Sequence, residues 1–431
     1  MAASGSFPES IENDQGNSEE RSGIFGYITV ACRNSSTSSD DATILYLTDD
    51  VEKNNLDFDF ANRGIPIVVL LWTLEISISF PWAIDGAELG YPPSWSGSQS
   101  GSSVSFKRSN WNWLSDEKII FTIKKLAVPP STPSGMHFAA VSIIGLLGSS
   151  RQVVPLLVTT LGPGFVEMRT LHFDFRKYLG LEQNGIGVVV PRSQKDEVFV
   201  NKDPRFVFKH FLQFYVANRG GKIAKRGNSR LEVALTMGNG QSALAGLDSS
   251  GKLPSDVEIT FVGSSAQTLW TVEKKTTTSG WPHWILTPTG QSFFEIGEVA
   301  TFTLARVQPN DDLGTAAIYL AYCGLPEHQD GIVPLWIRKT FHDPEIVFAQ
   351  CSSQGIVSQP RVRFSWVTLG ARPQLNIHGF NGTTASIPDL NAVELGYELD
   401  LTQYPDARVV TISTDSTGSK ERVICWVRYQ P

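Results

Sequence analysis

The sequence predicts an all-β protein: tandem β-sandwich domains, two homologous copies followed by a smaller immunoglobulin-like sandwich. Three observations predict it. Runs rich in Val, Ile, Thr and aromatic residues alternate with period two and are separated by Gly, Pro, Asn and Asp turns. Ordered blocks recur along the chain. The last ninety or so residues repeat short strand patterns at the spacing of a sandwich.

The recurrence organises the chain. Gly135-Met-His-Phe-Ala-Ala-Val-Ser-Ile-Ile-Gly145 parallels Gly314-Thr-Ala-Ala-Ile-Tyr-Leu-Ala-Tyr-Cys-Gly324. At the same offset behind them come Val153-Val-Pro-Leu-Leu157 and Ile332-Val-Pro-Leu-Trp336. Upstream, Glu117-Lys-Ile-Ile-Phe-Thr-Ile123 matches Glu298-Val-Ala-Thr-Phe-Thr-Leu304, and Ala61-Asn-Arg-Gly64 recurs as Ala217-Asn-Arg-Gly220. Two further matches are Leu74–Ile78 with Val257–Phe261, and the pair Trp111 and Trp113 with the pair Trp281 and Trp284. Phe121 and Phe302 fall in period-two runs and are expected inward, as equivalent core residues. Gly135 and Gly314 follow turn-rich segments, where a positive φ is expected. Pro155 and Pro334 lack an amide donor and suit a strand edge or a strand start.

These alignments set the expected boundaries: a disordered acidic tail at 1–22, copy one at 23–161, copy two with insertions at 162–342, and the C-terminal sandwich at 343–431. The insertions, 181–203 and 221–230, read as loops. Val166–Leu181 is the one helical candidate. Ile65–Trp82 is the longest apolar stretch, but Glu75 interrupts it and its second half alternates. It therefore reads as two strands rather than a membrane span, which needs about 20 apolar residues. In the C-terminal sandwich the expected strands are Glu345–Ala349, Arg361–Val367, Gln374–His378, Val393–Leu401, Arg408–Ser413 and Glu421–Arg428. The stretch Val362-Arg-Phe-Ser-Trp366-Val-Thr-Leu-Gly-Ala371, followed by Leu375-Asn-Ile377, resembles bacterial-type immunoglobulin-like domains. Those domains act as spacers, adhesin modules, toxin accessory modules and carbohydrate binders, so the resemblance implies a fold and no single function.

Composition narrows the function classes. The net charge is −7 and there is no dense Lys/Arg run, which argues against nucleic acid. The N-terminus has neither the basic nor the apolar region of an export signal, so the expected location is the cytoplasm or a signal-independent export route. Cys32, Cys323, Cys351 and Cys425 form no CxxC pair and read as reduced core residues; a pairing of Cys351 with Cys425 across the last domain stays open. Cys323 and His328 lie close in sequence, but no second Cys/His pair accompanies them, so no metal site is expected.

Chemistry-bearing motifs are sparse. Gly246-Leu-Asp-Ser-Ser-Gly251-Lys252-Leu253 has the spacing of a phosphate loop but lacks its hydroxyl residue and its strand-loop-helix setting, so it reads as a polar turn. None of the seven histidines makes an HExxH motif, and no Gly-x-Ser-x-Gly elbow is present. His137 reads as a packed strand residue rather than a base. The Asp pairs 40–41, 49–50 and 311–312, and Asp57 with Asp59, lack a calcium-loop pattern. Asn34-Ser-Ser and Asn381-Gly-Thr fit the glycosylation triplet without an export signal to give it meaning. No catalytic residue, cofactor or metal is expected.

Aromatic residues are the enrichment with a binding character. Trp72, Trp82, Trp95, Trp111, Trp113, Trp270, Trp281 and Trp284 all fall within the copies, most of them expected in the core. Trp281 and Trp284, three apart and broken by Pro282, cannot both face inward on a regular strand, so one of them is expected either exposed, as a candidate ligand-binding indole, or at a bulge. The function expected first is a non-catalytic structural or interaction protein with a protein partner or a place in an assembly. The alternatives are a lectin-like glycan binder, an accessory or receptor-binding module of a toxin, and, from another class, an enzyme with a loop-built site.

Overall fold

The computed structural model describes residues 28–36, 43–48, 50–64, 66–145, 148–160, 171–183, 186–189, 197–200, 208–247, 254, 256–277, 280–310, 312–341, 344–369, 372–391, 393–414 and 421–430. Among them strands dominate, with two short 3-10 turns and no α-helix. The chain divides into two compact units, the first containing most residues up to Thr340 and the second running from Phe341 onward with two short upstream segments. The tail at 1–22 and the Gly251–Leu253 end of the phosphate-loop-like turn lie outside the described residues.

Copy one lies in the first unit, as does copy two apart from Glu182–Val188, Phe199–Phe208 and its end at Phe341, and each copy has two facing sheets. In copy one, one sheet runs Ile28–Asn34, Leu56–Asn62, Lys118–Lys124, Glu88–Gly90. The other runs Gly148–Thr160, Gly135–Gly145, Ile67–Ser79, Ser103–Trp113, Ser96–Ser100. Copy two repeats the plan with Leu171–Gln183, Phe208–Asn218, Val299–Val307, Glu258–Ser264 in one sheet. Its other sheet holds Gly331–Phe341, Gly314–Cys323, Arg230–Leu235, Pro282–Pro288 and Trp270–Thr276 in that order.

The repeat is physical. Phe58 pairs with Phe121, and Phe214 with Phe302, and all four are buried. Trp95 lies edge-on to Phe121 at 4.9 Å, and Trp270 lies edge-on to Phe302 at 5.7 Å. The Ala-Asn-Arg-Gly blocks close equivalent turns: Asn62 Nδ2 donates to the carbonyls of Trp113 and Leu114, and Asn218 Nδ2 to those of Gly221 and Glu295. Glu117 and Glu298 each accept an amide three residues upstream, from Leu114 and Glu295. A buried carboxamide with both ends satisfied fixes a turn far better than propensity does. Gly135 and Gly314 have φ of 132° and 147°, the region open mainly to glycine. Pro155 falls between the two partners on its strand's outer side, which pair as far as Val153 and from Leu157, so its missing N–H interrupts no ladder there.

Several expectations need correction. The strand that occupies the place of Leu74–Ile78 in copy two is Arg230–Leu235; Val257–Phe261 lies in the opposite sheet, beside the Phe302 strand. Phe294 stands where Trp113 does, immediately before the amide bound by the glutamate, so Trp281 and Trp284 are not the counterparts of Trp111 and Trp113. Ile67–Ser79 is one strand, with a register shift between Val69 and Thr73, rather than two. The helical candidate is strand from Leu171 to Gln183, with Phe173 edge-on to Phe214; residues 166–170 lie outside the described residues. The loop-like insertion contains the strands Ile186–Val189 and Glu197–Val200, and 221–230 contains Ile223–Ala224. In these places cross-strand pairing, a tertiary effect, overrides the local pattern.

The two copies are joined by strand addition. Met237–Gly238 of copy two pairs antiparallel with Gln152–Val153 of copy one. The Asn239 amide donates to the Arg151 carbonyl at 3.0 Å, and Asn239 Nδ2 to the Ser149 carbonyl at 3.3 Å. Gly238 has φ 141°, and a Cβ there would lie 2.0 Å from the Arg151 carbonyl oxygen, so nothing larger fits without moving the backbone. Glu232, buried, accepts the Met136 amide at 2.7 Å and Arg230 Nε at 2.6 Å, while Arg230 Nη2 reaches the Ser134 carbonyl. Ser242 Oγ accepts the Val30 amide and Asp330 accepts Thr159 Oγ1.

The C-terminal unit packs a three-stranded sheet, Glu345–Cys351, Arg361–Leu369, Val393–Asp400, on a five-stranded one, Gly355–Val357, Glu421–Tyr429, Ala407–Ser413, Gln374–Gly379, Thr384–Ile387. All six expected strands are present; Gly355–Val357 and Thr384–Ile387 were not anticipated. Trp366 is fully buried, its Nε1 donating to the Asn391 carbonyl at 2.8 Å.

Removing either Phe ring leaves a large cavity between sheets. Phe121→Ala and Phe302→Ala should each lower the unfolding free energy by about 3–5 kcal/mol in urea titrations. A loss below about 1 kcal/mol for either would contradict the equivalence of the two cores.

Candidate functional site

The outer face of the C-terminal five-stranded sheet brings together side chains that are far apart in sequence. Leu375 and Ile377 point into the core, so period two turns Asn376 and His378 outward. Pairing then sets His378 beside Val409 and Val409 beside Trp426, and sets Asn376 beside Thr411 and Thr411 beside Val423. Between Val423 and Cys425 the register shifts by one, which leaves Ile424 as the extra residue. This bulge lets Ile424, Cys425 and Val427 all face the core while Val423 and Trp426 both face out.

Half of this face is a polar network. His378 Nε2 lies 3.0 Å from Thr411 Oγ1 and 3.3 Å from Glu421 Oε1, and His378 Nδ1 lies 3.2 Å from Thr384 Oγ1. Thr411 Oγ1 donates to Glu421 Oε1 in a short hydrogen bond. Asn376 Nδ2 donates to Glu421 Oε1 at 3.2 Å and Ser413 Oγ at 3.1 Å, and Ser386 Oγ donates to Asn376 Oδ1 at 2.8 Å. Burial pushes the Glu421 carboxyl up, but the hydrogen bonds from Thr411, Asn376 and His378 outweigh it and hold the group below its ordinary range.

The other half is apolar and exposed: Trp426 at 65%, with Ile356 and Val423. Ile356 pairs with Arg428, two residues from Trp426 and on the same side of the strand. Exposed single apolar residues are ordinary; here an indole and two branched aliphatics are exposed on one face.

The polar network is not arranged as a nucleophile–base–carboxylate relay. A hydroxyl nucleophile needs a base on one imidazole nitrogen and an orienting carboxylate on the other. Here Thr411 and Glu421 share the same nitrogen, Nε2, and Nδ1 meets a second hydroxyl. Elsewhere, Gln213, Val262, Ser264, Ser265, Val299 and Thr301 line a shallow open depression on copy two, with no titratable side chain in it.

The structure places both sequence-selected tryptophans inside. Trp281 is 4% exposed and Trp284 1%, so the expected exposed indole at this pair is not there. Pro282 opens its strand, pairing with Thr276, and Trp281 precedes it in the turn, where its amide donates to Thr277 Oγ1. Period two therefore does not bind the pair. Copy one also covers the region: the Arg151 guanidinium lies over the Trp281 ring at 5.3 Å, and Phe138 meets the His283 ring at 6.4 Å. His137 Nε2 lies 2.8 Å from the Pro133 carbonyl, and its ring is edge-on to Trp82. His328 Nδ1 sits at the Pro326 carbonyl and Cys323 is buried in its strand. Among the described residues no group of three or more His, Cys, Asp or Glu side chains is placed to hold a metal ion.

Sequence reading missed His378, Glu421, Asn376, Thr411 and Trp426. His378 and Glu421 are held together by strand pairing, which spacing along the chain does not reveal. The one available signal was Ile424-Cys-Trp-Val427, four apolar residues in a row inside an alternating strand, the mark of a bulge.

No protein-family model and no curated protein sequence matches the chain. Solved structures similar to it include the C-terminal domain of the Streptococcus pyogenes antigen I/II-family protein AspA, at 10% identity and TM-score 0.23, covering 73% of this chain and 98% of that one. A second is the serine-rich repeat adhesion glycoprotein Srr1 of Streptococcus agalactiae, at 10% identity and TM-score 0.22, covering 74% and 97%. A third is the collagen adhesin of S. aureus, at 7% identity and TM-score 0.20, covering 74% and 94%. At this level they bear on neither ligand nor activity. No helix among the described residues is long and apolar enough to cross a membrane.

The Glu421 shift has a testable sign. A carboxyl held below its ordinary value of 4.5 adds stability above that pH and loses it as pH falls through the lowered value. Glu421→Gln should therefore flatten the fall in melting temperature of the C-terminal unit below pH 4.5. An unchanged acid limb in calorimetry would show that the network does not stabilise the ionised carboxylate.

Proposed function

We propose that the chain is a non-catalytic interaction protein of tandem β-sandwich modules, with copies at 23–161 and 162–342 and a C-terminal module at 343–431. In this reading the C-terminal module engages a protein partner through the outer face of its five-stranded sheet. The observation that carries the reading is Trp426, 65% exposed and grouped with Val423 and Ile356 beside the His378–Glu421 network. An indole brings a large contact area with few rotors to lose, and the polar half supplies a rim of hydrogen bonds around it.

A second reading, glycan binding, is favoured by one feature of the same face. His378 and Glu421, both partly exposed, present a donor and acceptors beside an indole face, a combination that suits a sugar ring.

The test is a photo-crosslinking residue placed at position 426 of the full chain in its native host. The expected result is a specific cross-linked protein, identified by mass spectrometry, that is not captured from position 271 on copy two. Equal capture from both positions would overturn the protein-partner reading. Binding on a glycan array that disappears in Trp426→Ala, with the melting temperature unchanged, would replace it with the second reading.

A further inference from the structure

Two cysteines from opposite sheets meet inside the C-terminal sandwich. Cys351 ends its strand in the three-stranded sheet, and Cys425 lies on Glu421–Tyr429 in the five-stranded one. Cys425 is buried, and Cys351 is half-buried and packed against the same apolar core. The two strands touch, both side chains belong to one core cluster with Cys351 next to Cys425, and Cys351 Sγ donates to the Ser353 carbonyl at 3.1 Å. Both are free thiols in this structure. Thiols of Cys32 and Cys323, by contrast, have no such neighbour described, and burial pushes both well up.

We propose that Cys351 and Cys425 are a dithiol site that closes to an intramolecular disulfide when the chain meets a low-molecular-weight disulfide oxidant. The asymmetry of the pair sets the order of events. Burial, with the Cys351 thiol close by, pushes the Cys425 thiol far up, so Cys425 is the poorer thiolate and is shielded from a bulky reagent. Cys351, reachable at its strand end, loses its proton and attacks one sulfur of the oxidant. A mixed disulfide forms at Cys351 and one small thiol leaves. Cys425 then gives up its proton and displaces the second small thiol from Cys351. Two protein thiols are oxidised, one small disulfide is reduced to two thiols, and the two protons released go to the leaving thiolates.

A disulfide needs its sulfurs at about 2.0 Å and its Cα atoms within about 7 Å. Neighbouring thiols on strands in contact approach this by turning Cys351 away from the Ser353 carbonyl. The bond would cross the sandwich and enclose most of the C-terminal unit in one loop, which restricts the unfolded chain strongly. It would also pin the bulged stretch that presents Trp426, because Cys425 is its immediate neighbour. The inference does not rest on that face binding a partner.

The experiment takes the full chain through a series of oxidised and reduced glutathione mixtures, followed by alkylation under denaturing conditions and non-reducing peptide mapping. The expected result is a peptide joining Cys351 to Cys425, absent in Cys351→Ser and Cys425→Ser, with Cys32 and Cys323 alkylated. Oxidation should raise the melting temperature of the C-terminal transition by about 10 °C or more, and a reductant should reverse it. A chain that ends with glutathione on Cys351 and Cys425 still alkylatable would overturn the proposal. So would a covalent dimer through Cys351.

Discussion

Lys339 is 2% exposed, and an ammonium taken out of water has to place its protons on nearby oxygens. It donates to the Ala243 carbonyl at 2.8 Å and to Asn310 Oδ1. Asn310 turns its own Nδ2 to the carbonyls of Gly238 and Gly240, at 3.1 and 2.7 Å. Residues 236–246 have little regular structure of their own, yet this pair of polar side chains fixes their path. The fixed path carries Met237–Asn239 out of copy two and onto the open edge of copy one. Without a held loop there is no seam, because an edge strand gains a partner only where the partner's backbone is already extended and in register.

The seam explains features that look unrelated at the level of single residues. Gly238 is tolerated inside a pairing strand because the Arg151 carbonyl comes too close for a side chain. Glu232 sits buried because Met136 of the other copy supplies an amide and Arg230 a guanidinium, so the charge is both paired and hydrogen-bonded. Trp281 is covered although it borders a proline and an open turn, since Arg151 closes over it. Surfaces that a single sandwich leaves open are used up in joining the two. The C-terminal sheet differs: among the described residues its outer face keeps an indole and a histidine–glutamate pair in contact with solvent.

Much of this was legible in the sequence, for reasons that can be named. Phe121 and Phe302 announced themselves because a strand with one buried face must alternate. Gly135 and Gly314 did so because a positive φ restricts residue choice wherever it occurs. The strands around Trp366 followed from the same alternation. What stayed hidden depends on partners distant along the chain. Val166–Leu181 reads as a helix in isolation because the strand character of Leu171–Gln183 comes from pairing with the Phe214 strand. One of Trp281 and Trp284 is expected at the surface or a bulge by a rule for isolated strands, and copy one supplies a cover that no local rule includes. His378, Thr411 and Glu421 share no spacing, only a register. The repeat alignment also slid by a strand at Val257–Phe261, because any two apolar strands with a glutamate in them look alike.

Native-state hydrogen exchange on the Gly238→Ala chain tests the central claim, that the seam makes the two copies one cooperative body. The added Cβ meets the Arg151 carbonyl and should part Met237–Gly238 from its partner. The account predicts that protection then falls together in Gly148–Thr160 of copy one and in Gly331–Phe341 of copy two, with the C-terminal unit as reference. Protection lost only between 230 and 340, with Gly148–Thr160 exchanging as before, would mean that the copies stand independently and the seam is incidental.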